Sequence, residues 1–530
     1  MKKILTLSAL LLACFCYQAC YEDKGKYDYL PVNQVTVAIP AEALTAYLGD
    51  TLKYTPKITF EDPADTLGFE YWWEYKGASG LLGYREIVNE GRELKFVPRI
   101  VGSQLVQLCV REISSGFIKE AGFTVNASSR YARGWLILRE EAGKTKLSYV
   151  LPERSIQGDR TSPHVYTPYV DLYTQLYPDV DLGSGPVALR QAFSSKGIQV
   201  VFYILQENGS ACFNGISYQR EVLLSQEFIG GPPANLKPID YMQMNYVNML
   251  LNEDHTVYYR APYYSNNTDF FTYSFANFPM AYQGKVLKVD RLIPCIAEYA
   301  FFTAAYDKEN KRFLWIYAGQ ATTGGGIMPA TSFTLPGEYL DYNNTADANI
   351  LYTAFYNESL AGSLGQMYNI TVYERGGNYY VQHCRGTGGQ LLATLPAEQP
   401  LYDFQNVAFP NPGFLAANTK FYQMKTRAYL FFATGNNLYW YDHLGKTARL
   451  FYTLPAGSEV VAMSSNPQES ELGVACANGK FIILDVANNR LMENDTKLYE
   501  IDLPGRVVDM DYKFPDYATH RSRTSSSYWD

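Results

Sequence analysis

Short apolar runs broken by turn residues recur along the chain from residue 30 onward, and their period is that of strands. Between residues 30 and 127 the runs fall at 34–39, 51–55, 69–75, 93–97, 104–111 and 119–125. Short strands at this spacing predict a β-sandwich. Trp72 and Trp73 are adjacent in one run. Neighbouring strand residues point to opposite faces, so one ring fills the core and the other lies outside it. Cys109 is alone in this segment, so the sandwich is held by packing rather than by an inter-sheet disulfide.

Residues 131–512 carry a different pattern. No amphipathic helix of any length stands out, and strand–turn–strand units repeat. The units pair 134–139 with 146–150, 299–303 with 312–317, 429–433 with 438–441, and 472–476 with 480–485. The third turns at Gly435-Asn436-Asn437 and the fourth at Asn478-Gly479. Asn-Gly between two apolar runs is a strong short-range hairpin signal. The last two hairpins start 43 residues apart, near the roughly 40–45 residues of a propeller blade. A span of 382 residues divided by about 45–55 residues predicts a seven- or eight-bladed β-propeller. The alternative arrangement is two further sandwiches. The fold class is all-β, with an N-terminal immunoglobulin-like sandwich followed by the propeller. Residues 513–530 are polar and serine-rich and read as a tail.

The first nineteen residues read as a lipoprotein signal peptide. Lys2 and Lys3 precede an apolar run at 4–13, too short to span a bilayer of roughly 30 Å as a helix. Ala19-Cys20 offers a small residue before a lipidation cysteine, and Ala13-Cys14 is the alternative. Residues 20–29 then form an anchor and linker. Several acyl chains on one cysteine give stable membrane attachment.

The string Cys20-Tyr21-Glu22-Asp23-Lys24-Gly25-Lys26-Tyr27-Asp28-Tyr29, followed by Asn33-Gln34-Val35-Thr36-Val37, resembles the opening of the PKD-like lipoproteins of Bacteroidetes. In those proteins the string sits at the lipidation site and leads into an immunoglobulin-like domain, a second reason to favour Cys20. The acidic pair Glu22-Asp23 also resembles the surface-export signal of Bacteroidetes lipoproteins. The resemblance implies an outer-membrane, surface-exposed lipoprotein associated with a nutrient-uptake transporter of the starch-utilisation type. Its expected partners are a TonB-dependent transporter and that transporter's lid lipoprotein. It implies no catalytic residues.

Charge narrows the function classes. Lys and Arg number 45 against 53 Asp and Glu, a net charge of −8. A nucleic-acid binder needs clustered positive charge, so none is expected as a partner. The chain lacks His-Glu-x-x-His and Gly-x-Ser-x-Gly, the signatures of a zinc protease helix and a nucleophile elbow. Gly143-Lys144-Thr145 and Gly445-Lys446-Thr447 imitate the end of a phosphate loop, but Leu138 and Trp440 stand where glycine is required. Both are expected to be hairpin turns. Asp179-Val180-Asp181-Leu182-Gly183 is a fragment of a calcium loop without its closing glutamate. No cofactor, metal or catalytic residue is expected. The cysteines after residue 20 lack zinc spacing and sit in apolar runs as buried thiols.

Tyrosine is abundant, with 46 residues. Aromatic residues favour both strands and binding surfaces. Tyr258, Tyr259, Tyr263 and Tyr264 cluster beside polar loop residues and are the expected ligand contacts, since an exposed tyrosine stacks on a sugar ring or holds a peptide. Asp50-Thr51-Leu52 and Asp65-Thr66-Leu67 match an O-glycosylation motif of exported Bacteroidetes proteins, placing acceptors at Thr51 and Thr66. The expected function is non-catalytic binding of a glycan, a peptide or a partner protein in nutrient uptake. The alternatives are a propeller-type polysaccharide hydrolase or lyase, and a structural subunit of a transporter complex.

Overall fold

The computed structural model describes residues 32–64, 68–76, 85–98, 101–156, 162–193, 200–244, 247–260, 274–293, 302–317, 326–331, 333–356, 367–386, 401–487, 490–493 and 496–514. The chain divides into two units, Met1–Ser128 and Ser129–Asp530.

The first unit is a sandwich. Its five-stranded sheet runs Leu44–Tyr47, Ile118–Ser128, Gly102–Glu112, Phe69–Lys76, Arg85–Glu90. The first pair is parallel and the others antiparallel. Two short ladders, Val35–Ala38 with Lys57–Phe60 and Leu52–Tyr54 with Leu94–Phe96, complete it. Trp73 is wholly buried and meets Phe123 edge-on at 6.0 Å. Trp72, on the opposite face, is half-buried, and its ring N–H donates to Glu74 Oε1 at 2.9 Å. The adjacent tryptophans therefore split as strand alternation requires. Cys109 is a buried free thiol.

Among the described residues, the second unit holds a ring of seven sheets, with a separate two-stranded ladder of Ala281–Tyr282 and Lys285–Val286. Blade 1 holds Gly134–Glu141, Lys144–Arg154, His164–Tyr169 and Arg506–Lys513. Blade 2 holds Ser184–Phe193, Val200–Asn208, Ala211–Asn214 and Arg220–Leu223. Blade 3 has three described strands, Pro238–Met244, Val247–Asn252 and Val257–Arg260. Blade 4 holds Val289–Ile293, Phe302–Asp307, Arg312–Tyr317 and Gly326–Pro329. Blade 5 holds Asn349–Tyr356, Met367–Arg375, Asn378–Gly386 and Leu401–Ala408. Blade 6 holds Lys420–Gln423, Tyr429–Thr434, Asn437–Asp442 and Thr447–Thr453. Blade 7 holds Val460–Ser465, Glu471–Cys476, Lys480–Asp485 and Lys497–Asp502. The innermost strand of each blade touches the next all the way round, and the Arg506–Lys513 strand sits between blades 7 and 2. This is a closed seven-bladed β-propeller.

The sequence explains why the sheets stack. Strands such as Gly134–Glu141 and Val200–Asn208 are apolar at consecutive positions and buried on both faces. A strand buried on one face alone would alternate. In blade 1, Leu136 and Leu138 pack towards blade 2 while Trp135 and Ile137 pack towards blade 7. The same division recurs around the ring, giving one apolar cluster between each pair of neighbouring blades. Tyrosine belongs to this packing: Tyr149, Tyr203, Tyr218, Tyr342, Tyr356, Tyr373 and Tyr441 are among the largest fully buried side chains. Much of the tyrosine abundance is therefore blade packing rather than binding surface.

Turn chemistry agrees with the hairpins expected from sequence. Gly479 joins its two strands with φ at 93°, and a Cβ there would collide with the Leu503 carbonyl. Ala142 and Gly143, with φ at 50° and 75°, form the turn expected at the first phosphate-loop look-alike. Lys446, with φ at 52°, lies in the turn of the second.

The ring closes through its two ends. Arg506–Lys513 pairs antiparallel with Gly134–Glu141, with Lys513 opposite Gly134. Residue 513 is therefore part of the propeller and not of a polar tail, because its backbone completes this ladder. Its side chain is wholly buried, donates to the Ala132 carbonyl at 2.7 Å and lies 5.5 Å from the Tyr218 ring centroid. Burial disfavours the ammonium and pulls the Lys513 pKa down to about 7.

An unfolded lysine keeps its proton up to its ordinary value of 10.5. Above pH 7 the unfolded chain therefore binds more protons than the folded one, and stability rises with pH. We predict that, between pH 7.5 and 9.5, Lys513 contributes a rise of up to about 1.4 kcal/mol per pH unit. Lys513→Met removes that slope, measured by urea unfolding at several pH values. Equal slopes in both proteins would contradict the assignment.

Candidate functional site

The seven innermost strands enclose a central channel whose cavity measures about 370 Å³. Its wall is sewn together by side chains at the blade boundaries. Arg190 of blade 2 bridges two neighbours: its Nε donates to Asp240 Oδ1 of blade 3 at 2.7 Å, and its Nη1 to Asp509 Oδ2 of blade 1 at 2.6 Å. Gln191 Nε2 donates to Asp511 Oδ2 at 2.8 Å, and Ser464 Oγ of blade 7 to Asp511 Oδ1 at 2.7 Å. Tyr422 and Ser465 hydroxyls join blades 6 and 7 at 2.7 Å. The Gln423 N–H donates to Tyr352 Oη at 3.1 Å, joining blades 6 and 5. Arg291 Nη1 donates to the Leu351 carbonyl at 2.7 Å, joining blades 4 and 5.

The strand pattern places these groups. Asp509 and Asp511 are two residues apart on one strand and share a face, while Met510 turns into the core. Burial works against the Arg190 charge, but Asp240 and Asp509 outweigh it and hold the guanidinium pKa above its ordinary value. One positive charge shared by two carboxylates does not fully compensate both. Burial therefore raises the Asp509 pKa in spite of Arg190.

The wall has two characters. Blades 5 and 6 contribute the aromatic residues Tyr352, Phe355, Phe421 and Tyr422. Tyr352 and Phe421 stack at 5.1 Å. Across the channel, blades 1, 2 and 3 contribute Asp509, Asp511, Arg190, Gln191, Asp240 and Gln243. A pocket with an aromatic side and a side of fixed donors and acceptors can orient a polar ring or a peptide group. A smaller cleft of about 30 Å³ lies beside His164. There the His164 ring and the Tyr166 hydroxyl meet Glu471 Oε1.

Of the residues singled out in the sequence, the described ones are not among those lining the channel. Tyr258 is buried against Phe228 at 5.7 Å, so it offers no surface to a ligand. Tyr259, its strand neighbour, is half-buried and meets Phe278 edge-on at 6.4 Å. This strand is held by the buried Arg260, whose Nη1 pairs with Glu227 Oε1 at 2.6 Å. Tyr263, Tyr264, Thr66, Cys14 and Cys20 lie outside the described residues. Thr51 is exposed just before the Leu52–Tyr54 strand. In the calcium-loop fragment, Asp181 pairs with Lys144 at 2.6 Å. Among the described residues, no group of three or more His, Cys, Asp or Glu is placed to hold a metal ion.

Sequence reasoning did not find the channel. Its polar groups come from strands up to 320 residues apart, as in the Leu189 N–H to Asp509 bond. The one local signal was Asp509-Met510-Asp511, two carboxylates on one face of a strand.

The fold is similar to that of a quinoprotein alcohol dehydrogenase-like protein from Bacteroides thetaiotaomicron, at 12% identity and a TM-score of 0.44, over 90% of this chain and 97% of that one. It is also similar to the β-propeller domain of Cps50 (Swd1) from Myceliophthora thermophila, at 7% identity and a TM-score of 0.35, over 61% of this chain and 88% of that one. A third likeness is to Sqt1 of Saccharomyces cerevisiae, at 9% identity and a TM-score of 0.37, over 63% of this chain and 79% of that one. No curated protein sequence matches the chain. The PKD-like family matches residues 20–176, from the favoured lipidation cysteine through the sandwich to the end of the short Leu172–Leu176 helix of the propeller.

Proposed function

We propose that this chain is a lipid-anchored lipoprotein of the outer-membrane surface, non-catalytic, whose propeller binds a glycan or peptide ligand for nutrient uptake. The leader and the Cys20 string support the anchor. The observation that carries the binding role is the channel cavity of about 370 Å³. Its size falls within the range of about 300–1,000 Å³ usual for small-ligand pockets. Its aromatic side suits a sugar face or an apolar side chain. Its carboxylates, amides and guanidinium suit hydroxyls or peptide groups. The partners are a TonB-dependent transporter and its lid lipoprotein.

Two experiments test this reading. Cys20→Ala is expected to release the protein from membranes while Cys14→Ala leaves it attached; the reverse result moves the anchor to Cys14. The soluble 21–530 fragment is then titrated with oligosaccharides and peptides, with product analysis on the same samples. We expect saturable binding without turnover, weakened about tenfold or more, or about 1.4 kcal/mol, by Asp511→Asn. Cleaved product would overturn the reading in favour of a hydrolase or lyase. No binding at all would favour a structural subunit.

A further inference from the structure

Two opposite charges stand on the channel wall. Asp511 lines it from blade 1, and Lys425 lines it from the loop after the blade 6 strand Lys420–Gln423. Both are half-buried. Among the described residues, neither the Asp511 carboxylate nor the Lys425 ammonium enters an ion pair.

Neutral donors fix the Asp511 carboxylate. Gln191 Nε2 donates to Oδ2 at 2.8 Å, while Ser464 Oγ and the Tyr512 N–H donate to Oδ1 at 2.7 and 2.9 Å. They set its position without cancelling its charge. A carboxylate has about four acceptor sites, so Oδ2 keeps one for a further donor. The other charges on this side already form one bonded cluster, Arg190 between Asp240 and Asp509. That cluster holds two carboxylates for one guanidinium, so its excess negative charge adds to that of Asp511.

Lys425 is positioned differently. The wholly buried Glu469 accepts from the backbone N–H groups of Lys425 and Thr426 and from the Thr426 hydroxyl. The loop is pinned through its backbone, and the lysine side chain is left to the channel. The wall therefore has a negative side, on blades 1 to 3, and a positive point on blade 6. The aromatic rings of blades 5 and 6 lie beside that positive point.

A ligand that fills the cavity of about 370 Å³ displaces water from both charges. The hydroxyls of a neutral glycan can hydrogen-bond to them but leave both uncompensated at reduced dielectric, which costs free energy. A ligand with a positive and a negative end offsets both and is oriented by them. Taking the channel as the ligand site proposed above, we propose that it selects a short peptide with free termini. Asp511 pairs with the ammonium end and Lys425 with the carboxylate end, and the aromatic side holds an apolar side chain.

The test is equilibrium dialysis of the 21–530 protein against a mixture of tripeptides, with retained peptides identified by mass spectrometry. The same mixture is offered N-acetylated, C-amidated and doubly capped, beside neutral oligosaccharides. We expect free tripeptides to be retained, and retention to fall about tenfold or more when either end is capped. Asp511→Asn should erase the effect of N-acetylation, and Lys425→Met the effect of C-amidation. If either variant fails to fold, the capped mixtures on the unmodified protein still decide. Equal retention of free and doubly capped tripeptides overturns the proposal. Binding of neutral oligosaccharides without peptides overturns it too, while leaving the channel a ligand site. Retention of neither class defeats both the peptide assignment and the binding role of the channel.

Discussion

The propeller depends on one pairing, between Arg506–Lys513 and Gly134–Glu141. Every blade is apolar on both faces, so a sheet without a neighbour on each side exposes core. Opening the ring at this seam would uncover the cluster of ten buried residues that includes Trp135, Phe481, Ile483, Met510 and Tyr512. Each large side chain contributes about 1.5–3 kcal/mol on burial. Exposing even half of that cluster rivals the roughly 5–15 kcal/mol by which a whole domain is stable. The seam therefore decides whether the other six boundaries can persist.

The channel follows from that closure. Seven innermost strands brought side by side leave a central space too wide for their backbones to fill. Their inward polar side chains must then satisfy one another or water. Arg190 shared between Asp240 and Asp509, and Asp511 held by Gln191 and Ser464, are the outcome on one side. On the other side the tyrosine hydroxyls of Tyr352 and Tyr422 are taken up by neighbouring blades, which leaves their rings against the cavity.

Local features were legible in the sequence because their causes are local. Adjacent Trp72 and Trp73 had to face opposite ways, and only Trp73 entered the core. Asn478-Gly479 had to turn, and the strands on either side pair as expected. Division of the span by about 45–55 residues per blade gives seven or eight; the structure shows seven. In the sequence the closing strand marks only the end of the domain, and Lys513 stands at the start of a polar stretch. Nothing within Arg506–Lys513 announces a partner at Gly134–Glu141. The tyrosine signal misled for a physical reason. An aromatic ring with one hydroxyl fills an inter-blade gap as well as it binds a sugar, and Tyr258 does the former. The channel groups were illegible because each blade supplies only a few of them.

Hydrogen exchange on a chain ending at Gly505 tests the central claim most directly. Removal of the closing strand is expected to strip protection from amides throughout blades 1 and 7, Gly134–Glu141 and Lys480–Asp485 above all. Amides of the sandwich strand Gly102–Glu112 should keep theirs. Propeller amides that remain as protected as in the full chain would show that the ring does not depend on its terminal strand, and would contradict the account.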